Sequence, residues 1–243
     1  TLRKKARGII LTDDYAPVEN LLAPVVLASA VDLLVEEYLD KAEQLKKAGK
    51  LGASISKYQE VISTDPRLSI KAYNAIGLIL AGQGKPKEAV EAFKSALEYN
   101  RTAEVKQSMS NVDYNIGIAL RRLGDTDESS RYLRSAIEGY REDLAKDPNS
   151  AKIASRLGNA LASVGDFGPA TEYFQQAVNL NPYDMNNHSM LAQALMVQRR
   201  YEEAISGLKK AVAFMLHTGN KEAAAELQKL LESVESKKSA QNE

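Results

Sequence analysis

Few residues in this chain have the type and spacing for catalysis or metal binding, and most of those have a simpler structural role. The run Gly82-Gln83-Gly84-Lys85 is similar to part of a phosphate-binding loop, but it lacks the required spacing and a preceding strand. The two histidines, His188 and His217, are too far apart to form a helical metal pair. The absence of cysteine excludes disulfides, thiolate nucleophiles and cysteine-based metal sites.

Adjacent carboxylates are the remaining candidates for chemistry. They occur at Glu36-Glu37, at Glu202-Glu203 and at Asp125 with Asp127. These pairs fall in the expected first turns or exposed faces of helices, where negative charge complements the helix dipole. No set of nucleophile, base and orienting residue can be assembled. We therefore predict no catalytic residues, no cofactor and no metal site, so the fragment itself is not expected to be an enzyme.

A recurring order of small and large residues accounts for most of the chain. Each of five copies has a set of equivalent positions in the same phase. The first small residue is Ala42, Gly77, Gly117, Gly158 or Ala192. The following turn carries Gly49, Gly84, Gly124, Gly165 or, as the exception, Arg199. The second small residue is Ser54, Ala89, Ser129, Ala170 or Ala204, and the bulky residue four positions later is Tyr58, Phe93, Leu133, Phe174 or Leu208. This spacing predicts pairs of helices packed against each other.

The pattern resembles the tetratricopeptide repeat, a helix–turn–helix unit of about 34 residues. The resemblance implies an all-α, right-handed superhelical solenoid of about five units with a C-terminal capping helix. The array is expected over 31–218, with units at 35–68, 70–103, 110–146, 151–184 and 185–218, and a capping helix with a frayed tail over 219–243. Two units are lengthened, around 101–108 and around 140–146. The second insertion is interpreted as an extension of the third unit's second helix.

The resemblance also implies a binding surface, because the first helix of each unit lines the concave face in this family. The predicted peptide-binding positions are Lys71, Asn74, Asn111, Tyr114, Asn115, Lys152, Arg156, Asn159, Asn186, Ser189 and Gln193. Amides can bind the backbone of an extended peptide, and Lys152 with Arg156 can bind a carboxylate. Asn115 and these two cations match a carboxylate clamp of one branch of the family, whereas Asn74 and Leu78 depart from it. The alternative is a solvated polar face.

The charge balance narrows the class of partner. Lys and Arg total 32, as do Asp and Glu, so no net field favours nucleic acid. The predicted function is a non-catalytic protein–protein interaction module whose partner is a peptide or a protein, including one with an acidic group or a C-terminal carboxylate. The expected location is the cytoplasm. Self-association through the apolar residues of 21–27 is left open.

The first 30 residues do not follow the repeat. Residues 11–19, LTDDYAPVE, resemble the closing motif of bacterial proteins related to polyamine aminopropyltransferases (spermidine synthase-like membrane proteins). This resemblance implies that the chain is the soluble tail of a membrane enzyme, with a regulatory or self-assembly role. A compatible interpretation is that Thr12 or Asp13 starts a turn and Pro24 opens a helix toward Leu45. The apolar run is too short and too interrupted to span a membrane.

Overall fold

The computed structural model describes residues 19–103 and 107–241, with side chains described for 32–103 and 107–240. This part of the chain contains eleven α-helices, one short 3-10 turn at Pro66–Leu68 and no strand, which confirms the all-α prediction. The helices are α1 (Glu19–Lys47), α2 (Leu51–Thr64), α3 (Ser69–Gly82), α4 (Pro86–Thr102), α5 (Ser110–Leu123), α6 (Thr126–Lys146), α7 (Ala151–Ser163), α8 (Phe167–Leu180), α9 (Met185–Val197), α10 (Tyr201–His217) and α11 (Lys221–Gln241).

The chain divides into two compact units, residues 1–107 and 108–243. The first unit contains α1 to α4 and the second contains α5 to α11. Each odd-numbered helix from α1 to α9 packs against the helix that follows it, and α11 packs against α10. The pair α5 and α6 spans 110–146, and α6, with 21 residues, is longer than α2, α4, α8 and α10.

The first helix is the main departure from the expected boundaries. It begins at Glu19, so Pro24 lies inside it, and the expectation that Pro24 opens the helix is wrong. A proline at this point removes the backbone hydrogen bond to the Asn20 carbonyl oxygen and its ring crowds that carbonyl group, so it weakens the first turns while the helix continues to Lys47. Residues 11–18, with the proposed turn at Thr12 or Asp13, lie outside the described residues.

Glycines in the first helix of a pair allow a large ring from the second helix to approach closely. A Cβ atom added at Gly158 would lie 2.7 Å from Cε1 of Phe174, and one added at Gly77 would lie 2.4 Å from Cε1 of Phe93. Both phenylalanines are buried. The predicted role of these glycines is therefore a packing role, because close contact across a helix pair requires the missing side chain.

Two of the five copies have serine at the second small position, and both serines are buried. The Ser54 hydroxyl donates a hydrogen bond of 2.8 Å to the carbonyl oxygen of Ala42. The Ser129 hydroxyl donates one of the same length to the carbonyl oxygen of Gly117. A buried hydroxyl without a partner is costly, so these bonds explain why serine can replace alanine here.

The turns between paired helices have left-handed backbone geometry. The four turn glycines have φ between 72° and 91°, and Arg199, the exception in the sequence pattern, has φ of 60°. This conformation brings Cβ close to the following carbonyl oxygen and costs a non-glycine residue roughly 1–2 kcal/mol. The fifth turn thus keeps the geometry of the other four at the expense of strain.

Arg199→Gly should raise the free energy of unfolding of the second unit by up to about 1 kcal/mol. Relief of the backbone strain exceeds the roughly 0.5–1 kcal/mol of additional chain entropy that glycine brings to the unfolded state. Urea denaturation followed by circular dichroism measures the change. Gly165→Ala introduces the reverse change at the equivalent turn and should be destabilising. Equal signs for the two substitutions would contradict this explanation.

The last helix closes the second unit. Its buried residues are Ala223, Ala224, Leu227, Leu231 and Val234, at helical spacing. Lys209 Nζ lies 3.0 Å from Glu235 Oε1, so an ion pair also joins α10 to α11. The predicted capping helix is confirmed, because one face is apolar and packed and the other is polar. The helix continues to Gln241, which is farther than the frayed tail expected from 238 onward.

Candidate functional site

The open face of α7 carries the two cations of the predicted site. Lys152, Arg156 and Asn159 follow one another at helical spacing on the same face of this helix. Lys152 is exposed, and the other two are half-buried. Leu157 and Leu161 are fully buried on the opposite side. Packing of the hydrophobic face therefore directs the three polar side chains away from the core.

The cations on α7 are not neutralised within the described part of the chain. Neither Lys152 nor Arg156 forms an ion pair there, and the Asn159 side chain makes no hydrogen bond there. By contrast, the Arg200 guanidinium lies 2.7 Å from Glu203. Two uncompensated cations one helical turn apart attract a carboxylate or another strong acceptor.

The first helix of the following pair, α9, also has a polar face. Asn186, Ser189 and Gln193 share one side of this helix. No hydrogen bond of these three side chains occurs within the described residues. The neighbouring Asn187 is different, since it is buried and donates to the carbonyl oxygen of Ala177 at 3.4 Å. The unused polar groups are thus on the open side of the helix.

The corresponding side chains of α5 are already engaged in part. Asn111 Oδ1 accepts a hydrogen bond of 2.8 Å from the Tyr140 hydroxyl. Tyr114 is partly buried and packs against the hydrophobic core of the second unit. Asn115 also interacts with other groups of the chain. The predicted α5 residues therefore have structural partners, and only part of their polar surface is open.

Tyr140 is buried beside these groups and is a neutral hydrogen-bond donor. Burial raises the pKa of its phenol well above the usual range, and the nearby Arg156 only partly opposes this shift. Asp113, on the same helix as Asn111, also has a raised pKa because burial disfavours its charge. A hydrogen bond of 2.7 Å from the Ser135 hydroxyl opposes that effect.

Two predicted residues, Lys71 and Asn74, belong to the first unit and lie on α3. Lys71 is exposed, and Asn74 interacts with other groups of the chain. The first unit has an open groove of about 920 Å³ whose charged lining residues are Asp32, Glu36, Asp40, Glu43, Asp65, Arg67 and Lys71. Negative charges outnumber positive ones in this lining. The electrostatic character near Lys71 is therefore acidic, which the sequence pattern did not predict.

A second surface was not predicted from the sequence. An open groove of about 1120 Å³ lies between α8 and α10 in the second unit, over a floor of Leu191, Ala192 and Leu195 from α9. Gly168 and Gly207 line it, and a Cβ added at either would meet no atom within 4 Å. These two exposed glycines lie outside the repeat pattern. Their presence was therefore the sequence signal that could have indicated this groove.

Neither a metal cluster nor a membrane span occurs in the described ranges. Residues 32–103 and 107–240 hold no group of three or more histidine, aspartate or glutamate side chains placed to bind one metal ion. Over the described ranges, no helix combines the length and the apolar character needed to cross a lipid bilayer.

Comparison with known families identifies most of the helical region. Three tetratricopeptide repeat family models match, at residues 70–103, 108–182 and 167–243. These matches begin at residue 70. They therefore give no support to the resemblance of residues 11–19 to aminopropyltransferase-like proteins.

Solved structures share the fold. A thermophilic tetratricopeptide repeat protein of Thermus thermophilus, TTC0263, is 19% identical with a TM-score of 0.59, over 82% of this chain and 98% of that one. Pseudomonas aeruginosa pilF is 17% identical with a TM-score of 0.54, over 84% of this chain and 93% of that one. At these identities the likeness shows the fold alone.

Curated relatives are longer proteins. Bos taurus peptidyl-prolyl cis-trans isomerase FKBP4 is 29% identical over 57% of this chain and 30% of its own length. Homo sapiens aspartyl/asparaginyl beta-hydroxylase is 20% identical over 76% of this chain and 24% of its own length. The chain thus spans about a quarter to a third of these two relatives.

Proposed function

Because this chain belongs to the tetratricopeptide repeat family across residues 70–103 and 108–243, we propose that it is a protein-interaction module that binds a peptide segment on the open polar face of α5, α7 and α9. The preferred ligand is an extended segment with a carboxylate, either an acidic side chain or a chain terminus. The remaining predicted positions, Lys71 and Asn74 on α3, are proposed as a separate contact surface of the first unit.

The observation that carries this proposal is the unpaired state of Lys152 and Arg156 within the described residues. Unpaired cations also occur elsewhere in the described ranges, so the distinguishing feature of α7 is that Lys152 and Arg156 lie one helical turn apart on one face. Arg200, by contrast, is neutralised by Glu203. On α7 such a partner is absent from the described ranges, while the adjacent amide of Asn159 is also unused there. Hydrogen bonds to charged groups contribute about 1.5–3 kcal/mol each, so two such contacts can determine the orientation of a short peptide.

The amides of α9 extend the proposed contact. Asn186 and Gln193 each offer one acceptor and two donors, which is the complement that a peptide backbone requires. An extended peptide would therefore bind its carboxylate near α7 and its backbone along α9. Affinity is expected to be modest, because the amides must lose bound water to make these contacts.

The charge-reversed variant Lys152→Glu/Arg156→Glu should lose peptide binding by at least about tenfold, which corresponds to roughly 1.4 kcal/mol. The measurement is capture of a library of eight-residue peptides with free carboxyl termini, followed by fluorescence anisotropy of the selected peptides. The reversal replaces attraction to a carboxylate with repulsion.

The matched control is Lys229→Glu/Lys237→Glu, which makes the same change in net charge on exposed positions of α11. This control should bind the selected peptides as the wild-type protein does. Full affinity of the α7 variant, or failure of the wild-type protein to retain any library peptide, would contradict the proposal.

The alternative role, a regulatory or self-assembly appendage of an aminopropyltransferase-like membrane enzyme, depends on residues 11–19 alone. Those residues lie outside the family matches, and 11–18 lie outside the described ranges. Light scattering of the purified chain tests the self-assembly part of this alternative directly, since a monomer at high concentration would exclude it.

A further inference from the structure

We propose that Tyr140 fixes the direction in which Asn111 hydrogen-bonds, so that the polar face of the second unit selects carboxylates over amides. The inference rests on the proposed function, because it concerns the same face of α5 and α7. Tyr140 is a positioning residue. Its side chain is 2% exposed, and it acts on a ligand only through Asn111.

The position of Tyr140 follows from the extension of α6. In the next repeat, α8 ends at Leu180, which is ten residues after Ala170. The equivalent point in α6 is Gly139, ten residues after Ser129, and α6 continues to Lys146. Tyr140 is thus the first residue beyond the point at which α8 ends, and Asp143 lies beyond the equivalent ends of α4 and α10 as well.

A second set of contacts anchors the same extension to the start of α5. Asp143 Oδ2 accepts hydrogen bonds from the hydroxyls of Ser108 at 2.5 Å and Ser110 at 3.0 Å. A Cβ added at Gly139 would lie 2.4 Å from Oγ of Ser110, so the two segments are in close contact. These contacts restrain the Tyr140 phenol relative to the first turn of α5.

The hydrogen bond between Tyr140 and Asn111 orients the side-chain amide of Asn111. The Tyr140 hydroxyl donates to Asn111 Oδ1 at 2.8 Å, and no other hydrogen bond of the Asn111 side chain occurs within the described residues. Because the oxygen and nitrogen of a carboxamide point in opposite directions, this bond turns the N–H2 group away from the phenol. An asparagine amide would otherwise offer a donor or an acceptor equally well.

The polar face of α5 and α7 therefore presents mainly hydrogen-bond donors to a ligand. Lys152 and Arg156 have no acceptor atoms, and the oriented Asn111 adds two more N–H groups. A carboxylate within reach of all three side chains can accept from each of them. A carboxamide in its place offers only one accepting oxygen and would direct its own N–H2 group at these donors. The chemistry of the face therefore favours a carboxylate specifically, and polar peptides in general much less.

The test uses two fluorescein-labelled peptides from the library that differ by a single Asp→Asn change. Anisotropy gives the ratio of their Kd values. The wild-type protein should prefer the aspartate peptide by about tenfold, the equivalent of one charge-assisted hydrogen bond. In Tyr140→Phe the ratio should fall to about threefold or less, because the released amide can present its oxygen. Asn111→Ala removes the amide on a half-buried helix position and should lower the ratio equally.

A ligand-free measurement separates this inference from the proposed function. In nuclear magnetic resonance spectra, Tyr140→Phe should shift the side-chain N–H2 signals of Asn111 and leave those of Asn159 unchanged. Unmoved Asn111 signals would overturn the inference. An unchanged Kd ratio in both variants would also overturn it and leave the proposed function intact. Failure of the wild-type protein to bind either peptide would overturn both.

Discussion

Phe174→Ala should lower the free energy of unfolding of the second unit by about 3–5 kcal/mol, the largest effect we expect from any single substitution in this chain. The ring is 1% exposed and contacts the Gly158 backbone across the pair α7 and α8. Alanine leaves a cavity that the helices cannot close without losing their other contacts. Urea denaturation followed by circular dichroism measures the loss, with the m-value as a check that the same surface unfolds.

Tyr183→Ala is the control for aromatic truncation. Tyr183 is 62% exposed, and its ring forms a tilted pair with Phe214 at 5.1 Å between centroids. Such a pair contributes about 0.5–1.5 kcal/mol, so this variant should lose much less stability than Phe174→Ala. Comparable losses in the two variants would mean that Phe174 is not the packing centre described above.

Gly158→Ala should cost about 1–3 kcal/mol through overpacking. The added Cβ would lie 2.7 Å from Cε1 and 2.8 Å from Cδ1 of Phe174, and the buried ring has little room to move away. Gly207→Ala is the matched control, because it makes the same change in α10 where no atom lies within 4 Å. The control should be stabilising by up to about 1 kcal/mol, since alanine favours the helix. The measurement is again the free energy of unfolding in urea.

The fifth copy of the repeat makes the contact equivalent to Gly158 and Phe174 with an alanine and a leucine. At the equivalent positions of the fifth copy, Ala192 and Leu208 are both buried. The double variant Gly158→Ala/Phe174→Leu recreates that pair, so it should be more stable than the sum of its single variants predicts. A double-mutant cycle measures this coupling. Additive losses would show that the ring does not respond to the added methyl group.

Much of the fold could be predicted because the repeat pattern records helix packing directly. Gly158 and Phe174 are recognisable in sequence since a close helix crossing needs one small and one large residue. The turn at Arg199 was predicted from its phase alone, and its left-handed backbone confirms the position. The start of α1 at Glu19 could not be predicted in this way, because residues 19–30 carry no repeat phase.

Helical periodicity predicts which residues of the candidate site share a helix face, but not which residues they contact. Spacing placed Lys152 and Arg156 on one face of α7, but it gave no information on their partners. The bond between Tyr140 and Asn111 joins residues 29 positions apart and depends on how far α6 continues. The acidic groove beside Lys71 likewise depends on packing between helices, which no local pattern specifies.

The anchored extension of α6 also has a consequence for local opening of the second unit. Its hydrogen bonds connect residues 29 to 35 positions apart, so they join the ends of α5 and α6 that lie farthest from the turn between them. Helix ends without such contacts tend to fray. This pair is therefore held at both ends. Its backbone amides should exchange slowly with solvent for the first pair of the unit.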